Sequence, residues 1–352
     1  MDTAELDTPA VLVDLDRVER NLARWQAYCD RHRIASRPHV KTHKVIEFAR
    51  RQVELGAVGI CCQKLGEAEV MADAGLADIL IPFNLVGPAK LARARALAER
   101  CALRVSADDP VVVDGLAEAF AGAPRPLPVL VECDTGAARC GVQSPEAARD
   151  LALRIDRAPG LVFAGLLTYP PKKSPEKAAA FLSEAKALIE ARGLRVPTVS
   201  SGGTPDMWRA HEHPVVREYR VGTYIYNDRM QVAAGAARWE DCALTVLATV
   251  VSRPTTDRAI LDAGSKALTA DLVGQTGYGR IVDYPEAVIY ALSEEHGHVD
   301  LSGCAARPAI GEKVRVIPNH ACPVSNLFDQ IVAVRGQRVE GTLAVAARGR
   351  VR

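Results

Sequence analysis

Two rhythms of apolar and polar positions alternate over roughly the first 230 residues. Short runs rich in aliphatic and β-branched residues recur at 34–41 (IASRPHVK), 57–62 (AVGICC), 78–83 (DILIPF), 102–106 (ALRVS), 127–133 (LPVLVEC), 161–168 (LVFAGLLT), 197–201 (PTVSS) and 219–224 (YRVGTY). Each reads as a strand. Between them, stretches at 65–74, 88–100, 145–157 and 175–192 carry Ala, Leu, Glu and Arg in helical spacing. Pro88, Pro145 and Pro175 stand in the first turn of three of these, where a missing N–H removes no hydrogen bond. An amphipathic helix over 14–33 precedes the first strand. Eight strand–helix alternations predict an α/β fold, a (β/α)8 TIM-type barrel. A doubly wound open sheet is the alternative, because a strand count does not establish closure.

Beyond residue 234 the texture changes. ALTVLATVVSRP, RAILDAG, HVDLS, EKVRVIP and QIVAVRGQRVEGTLAV are β-rich, with Gly and Pro turns and few helical stretches between them. The reading is therefore two domains, with the barrel and an N-terminal strand and helix over 1–234 and a C-terminal β-rich domain over 235–352. The early run TPAVLVDLD either pairs with the second domain or caps the barrel.

Composition narrows the partners. Lys and Arg number 44 against 43 Asp and Glu, a formal charge of +1, which gives no electrostatic reason to expect nucleic acid or an anionic membrane. Aromatic residues make up only 5%, too few for a single-strand stacking platform. No apolar run approaches the roughly 18 residues of a bilayer span. The acidic start, MDTAELDTPAVLVDLD, lacks the basic and apolar regions of a signal peptide. Nine cysteines, several within apolar segments (Cys61, Cys62, Cys101, Cys133), fit a reduced, cytoplasmic protein with thiols in its core.

In such a barrel the reactive groups stand at the C-terminal ends of the strands. Those ends carry His39, Lys41 and His43; Gln63 and Lys64; Asp134, Thr135 and Arg139; Tyr169; Ser200, Ser201, Gly202, Gly203 and Thr204; and Gly222, Thr223 and Tyr224. SSGGT and VGTY follow the seventh and eighth strands, the usual barrel position for a phosphate, and supply small residues with exposed N–H groups. A lysine from the first strand in the same mouth could form a Schiff base with a phosphorylated aldehyde, given desolvation and neighbouring cations. Lys41, with Arg37, His39 and His43 nearby in sequence, is placed for that. A lone strand-end lysine or a lone SSGG is ordinarily structural; their joint occurrence in barrel register carries the reading.

Seven ordered motifs, RPHVKTHK (37–44), VECDTGAARCGV (131–142), GLLTY (165–169), SSGGTPD (200–206), EYRVGTY (218–224), SEEHGH (293–298) and PNHACP (318–323), resemble the fold-type III pyridoxal-phosphate enzymes. The branch resembled is that of the D-threonine aldolases and D-serine dehydratases, relatives of alanine racemase. The resemblance implies pyridoxal 5'-phosphate as cofactor and a homodimer. Carried over by motif, Lys41 is the Schiff-base lysine, with Lys44 as fallback, and Arg139 faces the phenolic oxygen of the cofactor. Gly202, Gly203, Gly222 and Thr223 cradle the phosphate. Arg220 faces the pyridine nitrogen; an ion pair of Arg220 with Glu218 or Asp228 is the structural alternative. His39, Gln63, Tyr169, Ser201 and Tyr224 complete the cofactor-binding set, and Lys41 and Tyr169 are the candidate catalytic residues.

His320 and Cys322 in PNHACP are two apart, and in an extended segment residues i and i+2 share a face. Imidazole with thiolate suits zinc, while manganese or another divalent ion would also be compatible, and two protein ligands leave coordination positions open. Within the resemblance this is the expected metal pair. The resemblance implies a lyase acting on small D-β-hydroxy-α-amino acids. TYPP, SSGGTPDMW and YIYNDR resemble the D-threonine aldolases, which cleave to glycine and an aldehyde. His-x-Cys, and the absence of histidine from Tyr169-Pro170-Pro171-Lys172-Lys173, resemble instead the D-serine dehydratases, which eliminate to a 2-oxo acid and ammonia. A non-catalytic carrier of pyridoxal phosphate would need neither a β-domain nor the His–Cys pair, and a racemase would need no metal. His296 is read as a group near the metal or cofactor, or as a surface-loop histidine; His211 and His213 are expected at the surface.

Overall fold

The computed structural model describes residues 1–172 and 174–352; Lys173, the end of the histidine-free segment after Tyr169, lies outside the described residues. By packing, the chain divides into two units, one of Met1–Arg24, Thr42–Glu47 and Thr223–Gly349, the other of Trp25–Lys41, Phe48–Gly222 and Arg350–Arg352. Strand β1 (Ala10–Asp14) opens the first, and helix α1 (Leu15–His32) begins in it and ends in the second.

The second unit is the barrel. Its elements run β2 (Ala35–Ser36), α2 (Ile46–Glu54), β3 (Ile60–Cys61), α3 (Leu65–Asp73), β4 (Asp78–Ile81), α4 (Pro88–Arg100), β5 (Ala102–Ala107), α5 (Pro110–Phe120), β6 (Leu127–Cys133), α6 (Pro145–Arg157), β7 (Leu161–Thr168), α7 (Pro175–Glu190), β8 (Thr198–Gly202) and β9 (Glu218–Arg220). All ladders are parallel, in the order β2-β9-β8-β7-β6-β5-β4-β3. Closure comes from the continuation of β2, where His39 bridges Cys61 in parallel and the Cys61 N–H donates to Pro38 O at 2.8 Å. The ring excludes the open-sheet alternative. Proline opens α4, α5, α6 and α7, and the Asp109 and Ser144 side chains cap first-turn N–H groups of α5 and α6, so each helix starts where its strand loop ends.

The barrel interior combines an apolar layer (Cys61, Leu80, Leu130, Ala164, Leu167) with a charged one. Arg37 donates to Glu218 Oε2 at 2.8 Å and to Asp78 Oδ1 at 2.6 Å, and Ser200 Oγ donates to Glu218 Oε1 at 2.7 Å. Buried charge is tolerated here because every group finds an opposite charge or a hydrogen bond.

The other unit is largely antiparallel: β10 (Leu244–Thr255), β11 (Arg258–Leu261), β12 (Arg280–Ile281), β13 (Val288–Leu292), β14 (Gly297–Asp300), β15 (Lys313–Ile317), β16 (Gln330–Arg335) and β17 (Arg338–Ala344), with short helices α8 (Arg229–Ala233), α9 (Ser265–Leu268) and α10 (Ala321–Leu327). Of the two places open to the early strand, β1 takes this sheet: it is antiparallel to β10 and parallel to β16, and Leu12 packs with Leu247, Val332 and Val334. Among the described residues no helix is long and apolar enough to cross a membrane.

Candidate active site

The C-terminal ends of the barrel strands gather a cationic group. Lys41 follows β2 in a 3-10 turn, Val40–Thr42, half-buried. Among the described residues its amine has no hydrogen-bond or ion-pair partner; its own N–H donates to His39 Nδ1 at 3.4 Å. On the other side of the ring, His39 Nε2 lies 2.9 Å from Gln63 Oε1. An imidazole that accepts at Nδ1 and donates at Nε2 is neutral. Burial, with the charges of Lys41, Arg220 and Arg139, pushes the His39 pKa well below its usual range and keeps it so. Gln63 is fixed in turn, its N–H donating to the buried Glu67 at 2.7 Å.

Arg220 is buried and pairs with neither carboxylate that the sequence offers. Its guanidinium donates to Ser200 Oγ at 2.5 Å and to Thr168 O at 2.7 Å, while Glu218 is held by Arg37 and Asp228 accepts from the Gln231 and Ala321 N–H groups. Arg220 therefore keeps its charge beside neutral acceptors. Arg139 reaches over the Tyr169 ring at 4.7 Å and stands 3.8 Å from Glu132. Burial raises the Glu132 pKa, against the opposing pull of Ser106, Arg220 and Arg139.

After β8 the chain runs through Ser201, Gly202 and Gly203 into a 3-10 segment, Thr204–Glu212. A Cβ on Gly202 would lie 2.6 Å from Arg220 O, and Gly203 sits at φ +105°, so both positions require glycine. The Gly203 N–H donates to Arg220 O at 2.9 Å. That removes it from any phosphate and leaves Thr204, the first residue of the segment, with an N–H its own turn cannot satisfy. Gly222 ends the barrel portion of the chain; Thr223 and Tyr224 open a second, buried 3-10 turn and pack in the β-rich unit. An unengaged amine, an arginine (Arg220) held by neutral acceptors and a glycine-restricted turn fit an anionic aldehyde cofactor.

The β-rich unit holds the His–Cys pair, but not in an extended segment as the spacing suggests. His320 is the residue before α10, with φ −141° and ψ 107°, and Cys322 lies in the first turn of that helix. The two side chains are in hydrogen-bond contact. Cys322 Sγ also lies 3.2 Å from Thr42 Oγ1 and 3.6 Å from Thr223 Oγ1. His320 Nδ1 is 2.9 Å from Asp271 Oδ2. Burial lowers the His320 pKa, but Cys322, Asp271 and Asp228 outweigh it and raise the value to about 9. Asp228 is fully buried: Oδ1 caps α8 at Gln231 N, and Oδ2 accepts the Ala321 N–H at 2.9 Å. An imidazole, a thiol and a supporting carboxylate are a donor set suited to a borderline-soft divalent ion.

The remaining candidates are elsewhere. Lys44 is buried, its amine on Asn326 Oδ1 at 2.8 Å. His43 turns Nδ1 to the Val45 N–H. His296 is exposed in the turn between β13 and β14, its carbonyl accepting from Ser293. His211 stacks on His32 at the surface, and His213 is half-buried near Glu176 and Glu212, both of which Arg209 engages. Sequence reasoning did not single out Asp271: 49 residues separate it from His320, and no spacing signals the contact.

Comparison with known proteins agrees with this architecture. The family "Alanine racemase, N-terminal domain" matches residues 13–230 and "Putative serine dehydratase domain" matches 243–334. D-threonine aldolase of Arthrobacter sp is 37% identical over 98% of this chain and 94% of its own. The crystal structure of D-threonine aldolase from Filomicrobium marinum superposes with a TM-score of 0.90 at 35% identity, covering 99% of this chain and 98% of that one. D-threo-3-hydroxyaspartate dehydratase, solved as a cysteine-to-alanine mutant in the metal-free form, gives a TM-score of 0.89 at 31% identity, covering 98% of each chain. With the closed barrel and the β-rich unit, these matches establish that the chain belongs to the alanine racemase N-terminal domain family, in the D-threonine aldolase-like branch of the fold-type III enzymes, and is a pyridoxal-phosphate-dependent lyase.

Proposed function

We propose that the protein cleaves D-β-hydroxy-α-amino acids by a retro-aldol reaction, D-threonine to glycine and acetaldehyde, with Lys41 holding the cofactor. The observation that carries the assignment of Lys41 is its amine, free of partners among the described residues, where the amine of Lys44 is committed to Asn326. Pyridoxal phosphate, when bound, supplies an electron sink for charge developing at Cα. Arg220, always protonated and pinned by Ser200 and Thr168, would donate toward the ring nitrogen without yielding a proton. Arg139 would face the phenolic oxygen. His39 and Gln63 would line the ring, and Ser201, Gly202, Gly203, Gly222, Thr223 and Tyr224 would surround the phosphate.

Tyr169, 40% exposed beneath the Arg139 guanidinium, takes the β-hydroxyl proton as the Cα–Cβ bond breaks. His320 and Cys322 would hold a divalent ion, zinc or manganese, which supplies Lewis acidity toward hydroxyl and carboxylate oxygens. A cysteine-to-alanine mutant of the dehydratase relative, solved in the metal-free form, supports a metal in this branch. Cys322 favours a second reading, β-elimination to a 2-oxo acid and ammonia, in which the freed Lys41 amine takes the α-proton and the β-hydroxyl leaves as water. We further propose a homodimer; its cytoplasmic setting is supported by nine cysteines, none in a disulfide.

Product analysis decides between the branches. With D-threonine, glycine and acetaldehyde are expected, and Lys41→Ala abolishes both their formation and the visible absorbance of the bound cofactor. 2-Oxobutyrate with ammonia would replace the aldolase by the dehydratase, and an intact absorbance band in Lys41→Ala would move the cofactor to another lysine.

A further inference from the structure

A metal-binding imidazole does not orient itself: the nitrogen that faces the ion is chosen by what the other nitrogen binds. Asp271 Oδ2 stands 2.9 Å from His320 Nδ1. A carboxylate only accepts, so the hydrogen is drawn to Nδ1 and the Nε2 lone pair is left for a ligand. Asp271 is itself held by the stretch that carries the pair. The Nδ2 of Asn319, which is 2% exposed, donates to Asp271 O at 3.2 Å and to Gly277 O at 2.8 Å. Arg229 Nη1 lies 3.2 Å from Asn319 Oδ1 and donates to Thr276 O at 2.8 Å. Thr269, at φ +65°, turns the chain so that its Oγ1 accepts the Asp271 N–H. The loop 269–279 thus hangs on the residue immediately before His320. The Asp271 carboxylate is 46% exposed, so burial does not account for its position, and His320 Nδ1 is its side-chain hydrogen-bond partner.

We propose that Asp271 is a positioning residue for metal binding, fixing the His320 ring so that Nε2 and Cys322 Sγ face one divalent ion. The inference rests on the metal reading given under Proposed function. Its test is a titration of the chelator-stripped full-length enzyme with Co2+ alone, following the visible cobalt bands, including thiolate-to-cobalt charge transfer. Wild type is expected to bind and His320→Ala to fail. Asp271→Asn and Asp271→Ala are expected to bind about 10–100-fold more weakly, with Asp271→Glu recovering part of the loss and the metal-free melting temperature unchanged in all three. Equal affinity in wild type and Asp271→Asn, with His320→Ala inactive toward Co2+, would overturn the role of Asp271 while leaving the metal pair intact. Weaker binding accompanied by a lowered metal-free melting temperature would mark Asp271 as structural and overturn it too. Absence of cobalt bands in wild type would remove the metal reading itself.

Discussion

His39 shows how one residue at the barrel mouth ties charge to stability. Burial and the nearby cations Lys41, Arg220 and Arg139 hold its pKa well below the usual 6.5, whereas the unfolded chain protonates it near that value. Below pH 6.5 the unfolded state therefore binds more protons than the folded one, and folding weakens as the pH falls toward the depressed value. The single-group slope is at most about 1.4 kcal/mol per pH unit. Urea unfolding between pH 7.5 and 5 (on the order of one proton taken up) should show this slope in wild type and lose about one proton's worth of it in His39→Gln, which keeps a polar group against Gln63. Equal slopes in the two proteins would place the proton elsewhere. The same neutrality matters to the site: a charged His39 would add a third cation beside Lys41 and Arg220 and would lose its acceptor for the Lys41 N–H.

Among elements, the junction of β8 and β9 is tight. An alanine at Gly202 would set its Cβ 2.6 Å from Arg220 O and 3.1 Å from Arg220 Cβ, atoms fixed by the backbone that cannot swing away as the end of a long side chain can. Gly202→Ala is expected to cost about 1–3 kcal/mol and, by pushing the strand that carries Arg220, to weaken pyridoxal phosphate binding. Calorimetry and equilibrium dialysis measure the two effects, and an unchanged cofactor affinity would mean that the β9 end tolerates the shift. Such junctions were legible in part. Parallel strands buried on both faces read as continuous apolar runs, which is why all eight barrel strands stand where the runs predict, and the prolines marked the helix starts. Helix α10 was not legible, because no Ser, Thr, Asp or Asn occupies position 320, and so the capping side chain that marks a helix start is missing. Its first N–H is satisfied instead by Asp228, 93 residues away. The ion pair open to Arg220 in sequence fails for a related reason: Glu218, two residues off, is the obvious local partner, but the fold delivers Arg37 to that carboxylate from the end of the adjacent strand β2. Distant carboxylates leave no periodicity to read.

At the scale of the whole molecule, both units are discontinuous in sequence, and this decides what can fold alone. The family match to 243–334 omits β1, yet β1 lies between β10 and β16 in the strand order β13-β14-β11-β10-β1-β16-β17. Its Val11 and Leu12 pair with Val246 and Thr245, and its Leu12 and Val13 with Val332 and Ala333. Without it, the β16–β17 hairpin loses its only ladder to the rest of the sheet among the described residues, and an isolated two-stranded hairpin is marginal in water. The freed edge of β10 would also present unpaired N–H and C=O groups to other chains. Deleting residues 1–14 should therefore abolish amide protection over 330–344 in hydrogen-exchange mass spectrometry while β6 and β7 of the barrel keep theirs, and the protein should aggregate at concentrations where wild type does not. Adding the peptide 1–14 in trans should restore part of the protection, since the register with β10 and β16 is set by Leu12 packing on Leu247 and Val332. If residues 330–344 stay protected in the truncated chain, the hairpin is held by something other than β1, and the N-terminal strand is an edge decoration rather than the centre of the sheet.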